Sequence, residues 1–364
     1  MAVDKRLNPN DEPQTVNDAL MIPAKTGETV ELEPGTDDPL VEITEDGGAI
    51  VGEQERIIED THDANLAELI DETELSNIAS ELTGYYEDDL SSRSEWENAY
   101  KKGLDLLGLK YDERSQPFQG ASGVTHPLLS ESVTQFQAQA YKELLPAGGP
   151  VRTQVMGEVT KEKEDQAQRV QEFMNYQIMH VMEEFDPDLD QMLFYLPLSG
   201  STFKKIYYDG SIGRAVSKFV PSDDLVVPYN AVNLEQAERV THVIKKSENE
   251  IRKLQVTGFY RDVDVQVTTT QDEVQDKEQS LSGIKRAGYV DDEYTLLEIH
   301  ANLDIPGFER DDGIKAPYIV TIDEGSGEVL SIYRNFDEKD DKLKKTQYFV
   351  HYKFLPGLGF YGFG

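Results

Sequence analysis

The sequence predicts an α+β protein: amphipathic helices first, a β-rich stretch later, and an acidic leading segment without a core of its own. Three observations carry this. Apolar residues recur at helical spacing between residues 94 and 184. From residue 202, and again from residue 294, the period shortens to that of strands, with turn residues between. Charge is unevenly placed: the net is −35 over 364 residues, and residues 1–89 hold 25 Asp/Glu against 4 Lys/Arg, leaving −14 for residues 90–364.

Residues 1–60 are rich in Asp, Glu, Pro, Gly and Thr and poor in aromatics. They cannot bury enough apolar surface to offset the entropy of ordering, and are predicted disordered. Residues 61–89 form an acidic helical lead-in, with Leu66, Leu69, Ile70, Ile78 and Leu82 in weak helical register and Gly84 as the stop. Residues 90–260 form a helix-rich region that also holds a β-hairpin. Its first helix starts at Ser94, which with Glu97 has capping-box spacing. Trp96, Tyr100, Leu104 and Leu107 make the apolar stripe, and Gly108 ends it.

A second helix starts near Pro127, with Leu129, Val133, Phe136, Ala140 and Leu144 on one face, and ends at Pro146–Pro150. A third runs from Thr160 to Glu184 with Ala167, Val170, Phe173, Met174, Ile178 and Val181 inward, broken by Pro187. A short helix over Leu189–Leu196 follows. Thr202–Tyr208 and Ala215–Val220 flank the Asp209-Gly210 turn. Leu225–Pro228 is a short apolar piece, and Asn249–Leu254 a short helix before Gly258.

Residues 261–290 read as a polar linker, with 268–283 a loop or solvated helix. Residues 291–364 are β-rich: strands from Tyr294, at Tyr318–Asp323 and Glu328–Arg334 around Glu324–Gly327, and at Tyr348–Phe354. The closing run from Phe354 to Gly364 is apolar, aromatic and glycine-rich. Such a run needs cover, and the expectation is that cover comes from chain beyond Gly364.

Composition excludes several classes. There is no cysteine, so disulfides and thiolate metal sites are out. No apolar run is long enough for a transmembrane helix, and the first residues lack a signal-peptide core, so a cytosol-like space and no membrane partner are expected. An acidic chain is poorly suited to grip nucleic acid through its phosphates.

No catalytic, cofactor or metal residue is assigned. Gly120-Ala-Ser-Gly123 lacks the GK[ST] of a phosphate loop and reads as a turn. His180 with Glu183 and Glu184 lacks a second histidine ligand. Asp186-Pro-Asp188-Leu-Asp190 fails as a calcium loop, with Gln191 where glycine and Pro197 where glutamate belong; it reads instead as acids at a helix start. Tyr207, Tyr208, Phe219 and Tyr229 offer a stacking platform, but a sheet packed on helices explains them better, since the only nearby cations are Lys204, Lys205, Arg214 and Lys218. Which residues contact DNA is unknown; Lys204, Lys205 and Lys218 are the cations available for weak contacts.

The stretches Glu87–Trp96, Lys102–Gly108, Pro117–Gly123, Thr125–Glu131 and Leu144–Pro146, then Lys218–Leu225 and Pro356–Gly364, together resemble the portal (head-to-tail connector) proteins of short-tailed bacteriophages, over residues 60–364 of the chain. The resemblance implies a homo-oligomeric ring, a dodecamer, at one capsid vertex of the virion, assembled in the host cytoplasm. Its implied partners are the terminase large subunit, major capsid and scaffolding proteins, head-completion or tail adaptor proteins, and double-stranded DNA bound weakly and without sequence preference. It implies no cofactor and no enzymatic residues. Residues 94–184 would be wing, and 290–355 wing or clip. Rival readings are another virion structural protein, a capsid or adaptor subunit, or a carboxylate-dependent metal nuclease, since 70 carboxylates leave room for an unsignatured pair.

Overall fold

A computed structural model describes residues 41–43, 49–51, 61–107, 118, 120, 126–210, 212–267, 273–281, 293–310, 312–340, 342–357 and 359–364. The chain divides into two compact units, Met1–Ile57 and Ile58–Gly364. In the first, β1 (Val41–Ile43) pairs antiparallel with β2 (Ala49–Val51), Val41 opposite Val51. Both strands lie within residues 1–60, the segment predicted disordered. The short apolar runs Val41–Ile43 and Ala49–Val51 that form these strands are hidden in the sequence by the acidic composition around them. The rest of 1–60 lies outside the described residues.

The second unit is α+β, as the sequence predicts. It opens on a 3-10 turn, Leu66–Glu68, and α1, Glu72–Ser92. Gly84 does not stop α1; the helix runs through it for two more turns, and a side chain there would meet nothing within 4 Å. A mid-helix glycine costs only about 1 kcal/mol, which the buried stripe of Leu75, Ala79 and Leu82 outweighs. Arg93 then turns the chain into α2, Ser94–Leu106.

The Ser94–Glu97 capping box is not formed. Glu97 accepts from Arg93 Nε at 2.8 Å instead, because a guanidinium one turn back outcompetes a backbone amide. Trp96, Tyr100, Leu104 and Leu107 are buried as expected. Gly108 and residues 121–123 of the glycine-rich turn lie outside the described residues.

Helix α3 is Leu128–Leu144, with Val133 buried and Leu144 exposed. The expected single helix over 160–184 is α4, Lys161–Tyr176, continued by a π-helical turn, Gln177–Val181. The break comes at Met182–Glu184. Pro187 lies inside the first turn of α5, Phe185–Ser199, where its missing N–H loses nothing. Helix α5 is longer than the sequence suggests because Leu189, Met192, Leu193 and Leu196 are buried along it.

Strands β3 (Ser201–Asp209), β4 (Arg214–Val220) and β10 (Phe349–Lys353) form a three-stranded antiparallel sheet, order β10-β3-β4. A five-stranded antiparallel sheet has order β5-β6-β7-β8-β9: β5 Leu225–Val226, β6 Arg239–Ser247, β7 Glu293–Leu303, β8 Ala316–Asp323 and β9 Val329–Arg334. Strand β6 is absent from the sequence-based expectation. Its run Val-Thr-His-Val-Ile is β-branched, but it ends in Lys245-Lys246 and leads directly into α6, Glu248–Val256, which has a complete Ser247–Glu250 capping box. Within the segment read as a polar linker, Glu273–Leu281 is α7, anchored by buried Val274.

Segments read separately as 61–89, 90–260 and 291–364 share this sheet. Leu75, Ala79 and Leu82 of α1 pack with Leu297, Ile299, Val320 and Ile332 from β7, β8 and β9. Asn65, fixed by the 3-10 turn, closes the β9 edge: its side chain accepts from Ile332 N at 2.9 Å and donates to Leu330 O at 3.1 Å. The closing run is covered from within only in part: Phe360 and Tyr361 are buried among Trp96, Phe203 and Val227, where cover was expected from beyond Gly364, whereas Leu355 and Phe363 stay exposed. Gly200, at φ +74°, allows this, since a side chain there would collide with the backbone of Gly362.

Candidate assembly surface

The positions weighed for chemistry turn out to be fasteners. Glu184 accepts from Ser217 N at 3.1 Å and pairs with Arg214 at 2.7 Å, and Asp188 accepts from Phe219 N at 2.7 Å. The two carboxylates thus bind outward amides of β4 and tie α5 to that strand. Asp190 accepts from Gln137 at 2.8 Å and Asp186 from the Tyr141 hydroxyl, tying α5 to α3. His180 instead lies against the Tyr176 ring. Among the described residues, no group of three His, Asp or Glu is arranged to hold a metal. No helix among them is long and apolar enough to cross a membrane.

Two of the three lysines available for duplex contact are engaged within the subunit. Lys204 lies inside, its ammonium 4.0 Å from the centre of the Phe185 ring, and burial lowers its pKa against the pull of Asp188 and Glu184. Lys205 Nζ sits on both oxygens of Glu298, at 2.6 and 2.7 Å. Only Lys218 of the three is exposed. Of the aromatics, Phe219 packs on Tyr195 of α5, whereas Tyr208 projects outward at 70% exposure.

Two polar hubs escape a reading of the sequence because their members are far apart in the chain. Arg93 is buried in the first hub. It donates from Nη1 to Ser222 O at 2.9 Å and from Nη2 to Asp223 O at 2.8 Å, and its guanidinium carbon stands 5.5 Å from the Trp96 ring. Tyr361 stacks on Trp96 at 4.6 Å and gives its hydroxyl to Leu225 O at 2.9 Å, so the hub locks α2, β5 and the closing run together.

The second hub joins the two sheets. Glu298 of β7 takes Lys205 from β3, His300 Nε2 at 2.8 Å, and stands 3.8 Å from His242 Nδ1 of β6. Burial pushes the Glu298 carboxyl up, but the imidazoles of His242 and His300 and the Lys205 charge outweigh it and hold it well below the ordinary carboxylate range. Burial lowers both histidines, which stay neutral. Two histidines and a carboxylate have the composition of a metal donor set, but here the lysine ammonium occupies the carboxylate.

The surface with no assigned task is α4. Its Gln171 and Asn175 hold the preceding segment: Gln171 accepts from Thr153 N at 3.1 Å, and Asn175 accepts from Val151 N at 2.9 Å. No residue of α4 is buried. Val170, Phe173 and Met174, at i, i+3 and i+4, form an apolar stripe off that side, and Phe173 is 62% exposed. The sequence predicts this stripe to face inward. The amphipathic pattern is real, but none of the described residues of the subunit lies over it. The chain matches no protein-family model, and no curated protein matches it significantly.

Proposed function

We propose that the chain is a structural subunit of a portal-type ring at one capsid vertex, a conduit for viral double-stranded DNA in packaging and ejection. In this reading it also docks terminase, capsid and scaffolding proteins, and tail adaptors. The single observation that carries the reading is the apolar stripe of α4, which no described residue of the subunit covers. An amphipathic helix without an intramolecular partner is what an assembling subunit presents to a neighbour. The resemblance of residues 60–364 to portal proteins gives the neighbour its identity, another copy.

The acidity fits a conduit. A basic channel would bind duplex tightly through counterion release and oppose its movement. An acidic wall repels it over only about 8 Å at physiological salt, enough to centre the duplex without a high entry barrier. With Lys204 and Lys205 committed internally, contact with DNA is weak and carries no base readout. The chain performs no chemistry, and the packaging energy comes from a separate ATPase.

Class-averaged electron micrographs and native mass spectra of the purified protein test this. Closed rings with a central hole, dodecameric by mass, are expected. A stable monomer at micromolar concentration overturns the reading. So does magnesium-dependent nuclease or ATPase activity that survives stringent purification, and so does nanomolar, sequence-dependent duplex binding in a filter assay.

A further inference from the structure

A strand at the edge of a sheet presents unpaired N–H and C=O groups, and a stable fold covers them. The two sheets of the second unit end in four such strands, β4, β10, β5 and β9. Three of these edges are sealed by side chains. On β4 the outward N–H groups of Ser217 and Phe219 go to Glu184 and Asp188. On β5 Leu225 O accepts from the Tyr361 hydroxyl at 2.9 Å, and that hydroxyl accepts from Val227 N at 3.2 Å. On β9 the Asn65 side chain bonds Ile332 N and Leu330 O.

The edge at β10 is treated differently. Tyr348 O accepts from Ile206 N at 2.8 Å, and Phe354 N donates to Gly200 O at 3.0 Å. The even-numbered residues between them therefore bond to β3, and the N–H and C=O groups of Phe349, His351 and Lys353 point away from it. Phe349 O accepts from Gln347 Nε2 at 3.0 Å. Past it, none of the described residues bonds the outward groups of His351 and Lys353. Beside these open groups the sheet face is apolar and uncovered. Val350 and Tyr352 are exposed there, with exposed Ile206 next to them on β3.

We infer that β10 accepts an extended segment of another polypeptide as a fourth strand of this sheet, a contact independent of the ring. Two separate features select that partner. Outward N–H and C=O groups at alternate residues are matched by an extended backbone, whereas a helix has its own groups bonded internally and cannot supply them. The exposed face then requires apolar, β-branched or aromatic side chains at every second residue of the incoming strand, beside Val350 and Tyr352.

On the opposite face Lys353 is half-buried, its ammonium 5.5 Å from the centre of the Phe360 ring, and it pairs with no carboxylate among the described residues. An acidic residue of the incoming strand faces it. A second copy joined through its own β10, antiparallel about His351, would set Phe349 and not an acid opposite Lys353. The fit is therefore to a strand of different sequence.

The probe is the acetylated and amidated peptide Thr-Val-Thr-Val-Glu-Val-Thr, titrated into the purified protein. Saturable binding is expected. Hydrogen exchange should slow at the His351 and Lys353 amides and stay unchanged at Ser217 and Phe219, which are already bonded. The same peptide N-methylated at alternate residues should bind in one phase of methylation and weaken at least tenfold in the other, because only one of its edges meets β10.

Lys353→Pro removes an outward N–H and leaves the ladder to β3 intact, since proline is tolerated on an edge. It should weaken the peptide at least tenfold with the urea midpoint unmoved, as should Tyr352→Glu. Lys353→Gln keeps the amide and should weaken it less. No binding at millimolar peptide, equal binding in both methylated phases, or protection that leaves out His351 and Lys353 overturns the proposal. Protection of those two amides in the protein alone, lost on dilution, would mean that a second copy holds the edge and would overturn it too.

Discussion

The joint between the two sheets and helix α4 come from the same chain, and they treat polarity in opposite ways. At the joint, Glu298, Lys205, His242 and His300 lie in the interior, where charge is costly, and are retained by one another. On α4 the situation is reversed: Val170, Phe173 and Met174 stay in water while the amides of Gln171 and Asn175 do the internal packing. A buried polar group without a partner marks a fold in difficulty, and an exposed apolar stripe without one marks a surface open to another molecule. At the joint Glu298, Lys205 and His300 hold one another, while His242 Nδ1, 3.8 Å from Glu298, is the looser member. The α4 stripe finds no cover among the described residues of its own subunit.

The comparison can be broken most forcefully at the joint. Glu298→Ala would leave the Lys205 ammonium buried without its carboxylate, with an expected loss of about 3–5 kcal/mol in urea unfolding. The double change Lys205→Met with Glu298→Leu should cost clearly less, because no orphan charge remains. A single variant within about 1 kcal/mol of wild type would mean that the pair is not held as described.

Next in size is pH. His242, His300 and His351 are all lowered by burial, His351 to about 3, where it is sandwiched between Phe203 and Phe360. Unfolding lets each titrate near 6.5. The folded state is therefore fully stabilised above that pH and loses stability as pH falls below it. For His351 alone the loss is about 2 kcal/mol at pH 5. The depressed Glu298 carboxyl adds a further loss below about pH 4.5. A urea midpoint unchanged between pH 7 and pH 5 would contradict this.

Smaller still is Asn65→Ala. It strips the cap from the β9 edge and leaves Ile332 N and Leu330 O without their side-chain partner, an expected cost of about 1–2 kcal/mol. Faster hydrogen exchange should appear at Ile332 before it appears at Val320, inside the sheet. Last comes Phe173→Glu on α4. Its effect on subunit unfolding should stay within about 0.5 kcal/mol, since the side chain stands largely in water. A loss above 2 kcal/mol would show that the stripe serves the fold and not a neighbour.

The sequence by itself determined the class and most of the elements. Local pattern was enough for the stripe Trp96, Tyr100, Leu104 and Leu107, for the pairing of Thr202–Tyr208 with Ala215–Val220, and for the hairpin at Glu324–Gly327. In each, the apolar period and the turn chemistry agree over a short span. It also found the amphipathic face of α4, since periodicity states which side is apolar. It could not state what that side meets.

The rest was decided by tertiary structure, for reasons of distance in the chain. β6 is a strand because β5 and β7 flank it. Gly84 is helical because the stripe around it is buried. Glu97 answers to Arg93 and not to a cap because the guanidinium is already fixed by carbonyls some 130 residues away. The sheet joint draws its members from residues 205, 242, 298 and 300, and the Arg93 hub draws its own from 93, 222, 223 and 361. No local window contains either set. Burial and exposure are properties of the packed chain, and only packing separates a helix face that closes a core from one left in water.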